Sequence, residues 1–169
     1  MKFFFLFLIL SMPATSLAEV STEVLLARLW VNEVGFETSY WRDHAGISDV
    51  IRATGGGGEI TTDAICTYSG RLCSERTDSR AYINDLNETG EKPEGWPDIH
   101  LNWPDYREKW LLLVERAKRF KVWNPRPCVE PRRARHWGAR GFRRDYWLSR
   151  GWIELTCPGA RNSFWARPR

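Results

Sequence analysis

The sequence predicts one mainly α domain of the α+β class, with a helical body followed by an irregular C-terminal segment. The chain has 169 residues, a length that suits a single domain. Apolar residues recur at helical spacing before Pro125 and lose that periodicity beyond it. Hydrophobic residues make up 43% of the chain and aromatic residues 14%, which argues against long disorder.

The first 18 residues are typical of a secretory signal peptide. A basic second residue precedes an apolar run over residues 3–10, and the small residues Ser16 and Ala18 fit the cleavage rule. We therefore predict cleavage before Glu19 and one exported domain over residues 19–169, in the periplasm or outside the cell. The alternative is an uncleaved anchor, although the run is far shorter than the roughly 20 residues that span a bilayer. No later run reaches that length, so we expect no transmembrane segment in the mature chain.

Apolar residues at helical spacing predict five helices before Pro125. They begin at Ser21 or Thr22, at Asp43, at Thr61 or Thr62, at Thr77 (ending at Leu86) and at Pro104. The first helix is predicted to end at Gly35. The glycines at 55–58 predict a turn, and residues 87–104 predict a long ordered loop. Beyond Pro125 we expect short strands, with one near residues 151–156.

The four cysteines predict two disulfide bonds in an exported chain. Cys66 lies close to Cys73 in the sequence, and Cys128 lies nearest to Cys157. Proximity favours these two pairs, although four cysteines permit three pairings. The second bond would staple the irregular C-terminal segment. The alternative for these cysteines is a cysteine–histidine nucleophile.

Charge is divided unevenly along the chain. Residues 19–106 carry seven basic and sixteen acidic side chains, whereas residues 107–169 carry seventeen and five. Such asymmetry indicates an anionic partner for the C-terminal part. An equally weighted alternative is that the basic segment lies on the acidic body of the same protein.

Common cofactor and metal motifs are absent from the sequence. Residues 55–58 lack the Lys-Ser/Thr that would complete a phosphate-binding loop, and there is no dinucleotide fingerprint. His44, His100 and His136 do not show the paired spacing of a zinc site. We therefore expect neither a cofactor nor a metal.

Glu33 is the most informative acidic residue. It lies near the end of the first predicted helix, and Trp30, Val34 and Phe36 surround it in the sequence. Poor solvation would favour the protonated carboxyl group. Such an acid is suited to breaking a glycosidic bond, because it can protonate the leaving oxygen. The alternative is an ordinary solvated glutamate at a helix end.

Short segments of the chain together resemble the bacterial cell-wall hydrolases of the spore-cortex-lytic (SleB-like) type. They are Leu26-Ala27-Arg28 with Asn32-Glu33-Val34-Gly35, Thr67-Tyr68-Ser69, His136-Trp137-Gly138 and Asn162-Ser163-Phe164-Trp165. The resemblance covers most of residues 24–165. Val34 stands where the family usually has alanine, and Ile51-Arg52 retains little of the Asn-Arg ending of the family's second helix.

This resemblance implies a lysozyme-like fold and cleavage of peptidoglycan glycan strands. Glu33 would be the general acid. The residues that bind the substrate would be Tyr68, Ser69, His136 and Trp137. A lytic transglycosylase needs no second carboxylate, whereas a muramidase needs one to act on water or on the sugar. The candidates for that second carboxylate are Glu37, Asp43 and Asp49.

The chain contains ten tryptophans, and this excess suits stacking on the apolar faces of sugar rings. Four lie in segments that resemble loops and are candidates to line a groove: Trp96, Trp103, Trp137 and Trp165. Trp30 and Trp110 fall on apolar helix faces, so we predict that they are core residues.

Two other functions compete with glycan cleavage. An exported glycan-binding or interaction protein would keep the groove without needing an acid at position 33. A nucleic-acid-binding protein would use the arginines between residues 132 and 144, which lie among aromatic residues. The leader and the acidic first half argue against nucleic acid. The expected partners are therefore peptidoglycan and, through the basic tail, anionic cell-envelope polymers.

Overall fold

The computed structural model of the chain describes residues 20–74, 80–97, 102–123, 134–155 and 157–168. In these ranges the protein is mainly helical with one small sheet, as the sequence predicts. The helices are α1 (Thr22–Val34), α2 (Trp41–Thr54), α3 (Thr62–Tyr68), α4 (Trp103–Val122) and α5 (Arg144–Ser149). Two 3-10 helices cover Gly70–Leu72 and Ala81–Asp85, and the strands are β1 (His136–Ala139), β2 (Ile153–Leu155) and β3 (Asn162–Ala166). The predicted signal peptide over residues 1–18 lies outside the described residues.

Helix α1 forms where the sequence predicts it. Ser21 precedes the first turn, and Gly35 ends the helix with φ 77°, a conformation that glycine adopts without strain. Every residue from Val24 to Val31 is buried, so the helix is enclosed on most of its circumference. Helix α3 also begins where expected, because the Thr61 hydroxyl accepts a hydrogen bond from the backbone N–H of Ala64 (3.2 Å).

Two of the other predicted helices differ in the structure. Helix α2 begins at Trp41 rather than at Asp43, so Asp43 is not its cap. Of the helix predicted over residues 77–86, the described part holds only the short 3-10 helix Ala81–Asp85. Helix α4 begins at Trp103 and has proline in its first turn, close to the predicted start.

The hydrophobic core forms where α1 packs against α4. The rings of Trp30 and Phe120 meet edge to face with centroids 5.6 Å apart. Trp30 and Trp110 have no exposed surface, and the indole N–H of Trp110 donates to the backbone oxygen of Asn87 (2.6 Å). Both tryptophans are therefore core residues, as predicted.

The tryptophans predicted to line a groove are buried instead. The exposed fraction is 8% for Trp96 and for Trp103, 5% for Trp137 and 1% for Trp165. Trp96 meets the ring of Trp103 at 4.7 Å and that of Phe36 at 5.7 Å, so the loop folds onto the helical body. The prediction was wrong because Trp103, Trp137 and Trp165 belong to a helix and to strands rather than to loops, and because the loop that carries Trp96 packs inward.

The C-terminal segment forms an antiparallel sheet in the strand order β1-β3-β2. All residues of the central strand β3 are buried, and its Phe164 lies against Gly46 of α2. The strand expected near residues 151–156 is β2, whereas the positions of β1, β3 and α5 were not predicted.

A buried carboxylate joins this sheet to the helices. Asp43, in the first turn of α2, has no exposed surface. Both of its oxygens accept the backbone N–H of Arg161 at 3.0 Å, and Oδ1 also accepts that of Asn162 at 2.8 Å. Charge-assisted hydrogen bonds of this kind offset the desolvation of a buried carboxylate. The start of β3 is thereby held against α2.

The predicted disulfide bond between Cys66 and Cys73 is present, with Cα atoms 5.6 Å apart. Cys157 is also disulfide-bonded, and its predicted partner, Cys128, lies outside the described residues. Disulfide bonding is compatible with an exported protein. In the part of the chain that the structure describes, no helix is both long and apolar enough to cross a membrane.

We expect Gly46→Ala to destabilise the protein. A Cβ atom at residue 46 would lie 2.2 Å from Cζ of Phe164, so α2 and β3 would have to separate. Overpacking of this kind costs roughly 1–3 kcal/mol, which outweighs the gain in helix propensity. Urea denaturation measures the change in the free energy of unfolding. Gly70→Ala is the matched control, since nothing lies within 4 Å of its Cβ position. Equal losses in the two variants would contradict close packing at Gly46.

His44 is a neutral histidine in the core. Its ring stacks on Trp30 with centroids 4.7 Å apart, and Arg116 donates a hydrogen bond to its Nδ1 atom (2.9 Å). Burial, reinforced by the positive charge of Arg116, lowers the pKa of His44 from 6.5 to about 3. The folded protein therefore excludes a proton that the unfolded chain binds in mild acid.

The free energy of unfolding should consequently fall as the pH falls from 6.5 to about 3. His44 contributes a slope of up to about 1.4 kcal/mol per pH unit in this window, because only the unfolded chain is protonated there. Urea denaturation at several pH values measures the slope. His44→Gln removes the titrating ring and should flatten the slope by this amount. The same slope in both proteins would contradict a buried neutral His44.

Candidate functional site

A cluster of aromatic and imidazole rings joins the end of α3 to strand β1. The rings of Tyr68 and Trp137 are stacked, with centroids 4.2 Å apart and planes inclined by 17°. The Tyr68 hydroxyl lies 2.7 Å from Nδ1 of His136, and the His136 ring lies 4.6 Å from that of Trp147. Three of the residues predicted to bind substrate therefore lie in direct contact.

Glu33, the predicted acid, reaches this cluster from the last turn of α1. One carboxylate oxygen accepts the indole N–H of Trp137 at 3.0 Å, and the other accepts the side-chain N–H of Asn32 at 2.9 Å. Glu33 and Trp137 are 104 residues apart in the sequence. The fold thus brings Glu33 together with Tyr68, His136 and Trp137.

The expectation that Glu33 is poorly solvated was wrong, because the residue is exposed. Its apolar sequence neighbours turn away from it. Trp30 is fully buried against His44, and Phe36 packs edge to face on Tyr106 at 5.2 Å. The carboxylate therefore meets solvent, and two hydrogen-bond donors hold it in place.

The polar members of the ring cluster are both neutral near pH 7. Burial raises the pKa of Tyr68 well above its usual value, a hydrogen bond to the Trp137 backbone opposes this, and the charge of Glu33 adds to the increase. Burial lowers the pKa of His136, and the charge of Glu33 opposes that decrease. The cluster is thus an uncharged hydroxyl–imidazole pair beside one carboxyl group.

A pocket of about 630 Å³ opens beside Glu33. Its walls come from the end of α1 and the turn that follows, from the 3-10 helix Ala81–Asp85, from α4, and from the paired ends of β1 and β3. The lining side chains include Phe36, Tyr106, Lys109, Arg161 and Asn162. A concave surface that combines aromatic walls with a few convergent polar groups is typical of ligand-binding sites.

Asn162 is a binding candidate that the sequence analysis did not assign. Its exposed fraction is 9%, and its side-chain nitrogen has no hydrogen-bond partner among the described residues. A buried donor without a partner is unfavourable unless a ligand or water satisfies it. Lys109 and Arg161 were missed as well, since no local pattern distinguishes them from other basic residues. Only the fold places these three side chains around one pocket.

Of the three carboxylates considered as a second catalytic group, Glu37 alone lines this pocket. Its Oε1 atom lies 3.1 Å from Nζ of Lys109. The Asp43 carboxylate already accepts hydrogen bonds from the backbone at the start of β3. Asp49 is buried and pairs with Arg52 at 3.0 Å. Those two carboxylates therefore have structural roles.

Ser69, the remaining predicted substrate-binding residue, ends helix α3. Its backbone N–H donates to the Ile65 oxygen at 2.8 Å, and it is not among the residues that line the pocket. Within the described ranges, no group of three or more His, Cys, Asp or Glu side chains lies close enough to hold a metal ion.

Comparison with known proteins gives no match: no protein-family model, no curated protein and no solved structure corresponds to this chain. The resemblance to the spore-cortex-lytic type therefore rests on its short segments alone. In the fold, residues from these segments converge. Glu33, Tyr68, His136 and Trp137 lie in one cluster, and Asn162 lies in the pocket beside it.

Glu33→Gln should lower the pKa of His136 further. The negative charge of Glu33 favours the protonated ring and opposes the effect of burial. Without that charge, the protonated ring is less stable. NMR titration of the ring protons measures this pKa in the two proteins. Glu37→Gln is the matched control, because Glu37 lines the pocket but pairs with Lys109. A His136 pKa that stayed constant or rose in Glu33→Gln would contradict the arrangement described.

Proposed function

We propose that this protein cleaves the glycan strands of peptidoglycan, with Glu33 as the general acid. The observation that carries the proposal is the position of the Glu33 carboxylate, which Trp137 and Asn32 hold at the edge of a pocket of about 630 Å³. We further propose that the helical body is a lysozyme-like domain and that the protein works outside the cytoplasm.

The pocket offers the groups that recognise a glycan. The ring of Tyr106 can face the apolar side of a sugar. The side-chain N–H of Asn162, which has no partner within the described residues, can donate to a hydroxyl or acetamido oxygen. Arg161 places positive charge where the carboxylates of peptide stems would lie.

In the proposed reaction, Glu33 gives its proton to the oxygen that bridges N-acetylmuramic acid and N-acetylglucosamine. The bond between C1 of the muramic acid and that oxygen breaks as positive charge develops on the sugar. The indole N–H of Trp137 then stabilises the carboxylate that remains.

Two fates are open to C1 of the muramic acid. If the sugar's own C6 hydroxyl attacks C1, Glu33 accepts the hydroxyl proton and the product carries a 1,6-anhydro end. If water attacks, a second carboxylate is needed, either as the base that accepts the proton of water or as the nucleophile that holds C1 until water replaces it while Glu33 accepts the proton. Glu37 is the candidate in the pocket. We favour the anhydro route, because Glu37 is already paired with Lys109.

A second candidate function is the binding of a cell-wall glycan without cleavage. The exposure of Glu33 favours this alternative, since binding requires no protonated acid. The pocket and its polar groups would serve both functions equally.

Glu33→Gln should abolish the release of products from purified peptidoglycan while binding to the insoluble wall remains. Removal of a general acid slows a reaction by roughly 10²–10⁴-fold. Mass spectrometry of the soluble products measures both their amount and their chemistry, since anhydro ends and reducing ends differ in mass by one water. Glu115→Gln is the matched control, because Glu115 is an exposed glutamate on α4 that pairs with Lys118.

The outcomes separate the candidates. Reducing ends that disappear in Glu37→Gln would assign Glu37 as the second carboxylate. If the unaltered protein released no product from walls of several types, the proposal of cleavage would fall. Wall binding that persisted in that case would leave the binding function.

A further inference from the structure

The segment over residues 140–153, here called the arginine lobe, is attached to the sheet with little burial of its own. It contains α5, which has no buried residue, and residues 140–146 are all exposed. Trp147 is its link to the body, with its ring 4.6 Å from His136 and 6.3 Å from Trp165. Because the lobe buries so few side chains, its surface is accessible to a binding partner.

Large apolar side chains are concentrated on the outside of this lobe. The exposed fractions are 61% for Phe142, 43% for Tyr146, 40% for Leu148 and 43% for Ile153. The other exposed large apolar residues of the described part lie near residue 20 and on or just after α4. A local group of exposed apolar side chains marks a surface that binds a protein or a membrane.

The lobe is also positively charged. It contains four arginines and one acidic residue. Arg143 lies over the ring of Phe142 at 5.3 Å, and Arg150 lies over that of Tyr146 at 4.3 Å. Neither arginine pairs with a carboxylate among the described residues, whereas Arg144 pairs with Glu154 at 3.0 Å. Two of the lobe's arginines thus lie against two of its exposed aromatic rings.

The basic residues of α4 behave differently. Lys109 pairs with Glu37 and Lys121 pairs with Glu23 and Glu59, at distances of 3.1, 3.5 and 3.3 Å. Acidic side chains of the first half of the chain thus pair with two lysines of α4, whereas none of them pairs with an arginine of the lobe among the described residues. The net positive charge of the lobe therefore favours an anionic partner.

We propose that the arginine lobe binds the surface of a bilayer that contains anionic phospholipids. A charged polymer would engage the arginines but would gain nothing from exposed Phe142, Leu148 and Ile153. At a bilayer surface, apolar side chains enter the boundary of the acyl chains while arginines remain beside the phosphates. Tyrosine and tryptophan also favour this interface. The inference does not depend on glycan cleavage.

The test is co-sedimentation of the full chain with vesicles of phosphatidylglycerol and phosphatidylcholine in equal parts, and with vesicles of phosphatidylcholine alone. Every protein compared carries Leu6→Ser and Leu8→Ser, which reduces binding through the apolar run near the N-terminus equally in all of them. We expect binding to the anionic vesicles that weakens as salt is added. Each arginine near such a surface contributes about 1 kcal/mol.

Two pairs of substitutions measure separately how much the arginines and the apolar side chains of the lobe contribute to vesicle binding. Arg143→Gln with Arg150→Gln should weaken the partition to anionic vesicles about 30-fold, and Phe142→Ser with Leu148→Ser should weaken it by at least about tenfold. The controls on α4 are Leu112→Ser and Arg119→Gln, at an exposed leucine and an exposed arginine. All these side chains are exposed, so thermal melting should show unchanged folding.

Three results would overturn the proposal. One is equal binding to the two kinds of vesicle. Another is a loss of binding in the α4 controls as large as that in the lobe variants. The third is a loss in the arginine pair without any loss in the Phe142 and Leu148 pair, together with equal binding to soluble polyphosphate. That last result would assign the lobe to an anionic polymer.

Discussion

The buried carboxylate of Asp43 connects the two halves of the molecule. Its oxygens accept the backbone N–H groups of Arg161 and Asn162, which fixes the first strand residue of β3 against helix α2. Strand β3 lies between β1 and β2, so this junction holds the central strand of the sheet against the helices. An uncompensated buried carboxylate is strongly unfavourable. The junction therefore favours one placement of the sheet over its alternatives.

That placement puts Trp137 between the ring cluster and the open pocket. Its ring is buried and stacks on Tyr68, while its N–H group reaches the exposed carboxylate of Glu33. The neutral, half-buried Tyr68–His136 pair lies on one side, and Asn162 lies in the pocket wall. The side chain of Trp137 thus contacts both a neutral pair and an exposed carboxylate.

Local patterns in the sequence were sufficient for some features and insufficient for others. The apolar face of α1, its Gly35 end and the Cys66–Cys73 bond follow from residues close together in the chain. The burial of Trp96 depends on rings from distant segments, and so does the solvation of Glu33. The contribution of Asn162 to the pocket depends on its contact with α2. No periodicity encodes such contacts, so they appear only in the folded chain.

The separation of 104 residues between Glu33 and Trp137 also determines when the site can form during synthesis. A chain is made from its N-terminus, so helix α1 emerges from the ribosome long before strands β1 and β3. The carboxylate lacks its indole donor until Trp137 has emerged, and the pocket lacks Asn162 until the start of β3 has emerged. A nascent chain that has not reached β3 therefore lacks the finished site.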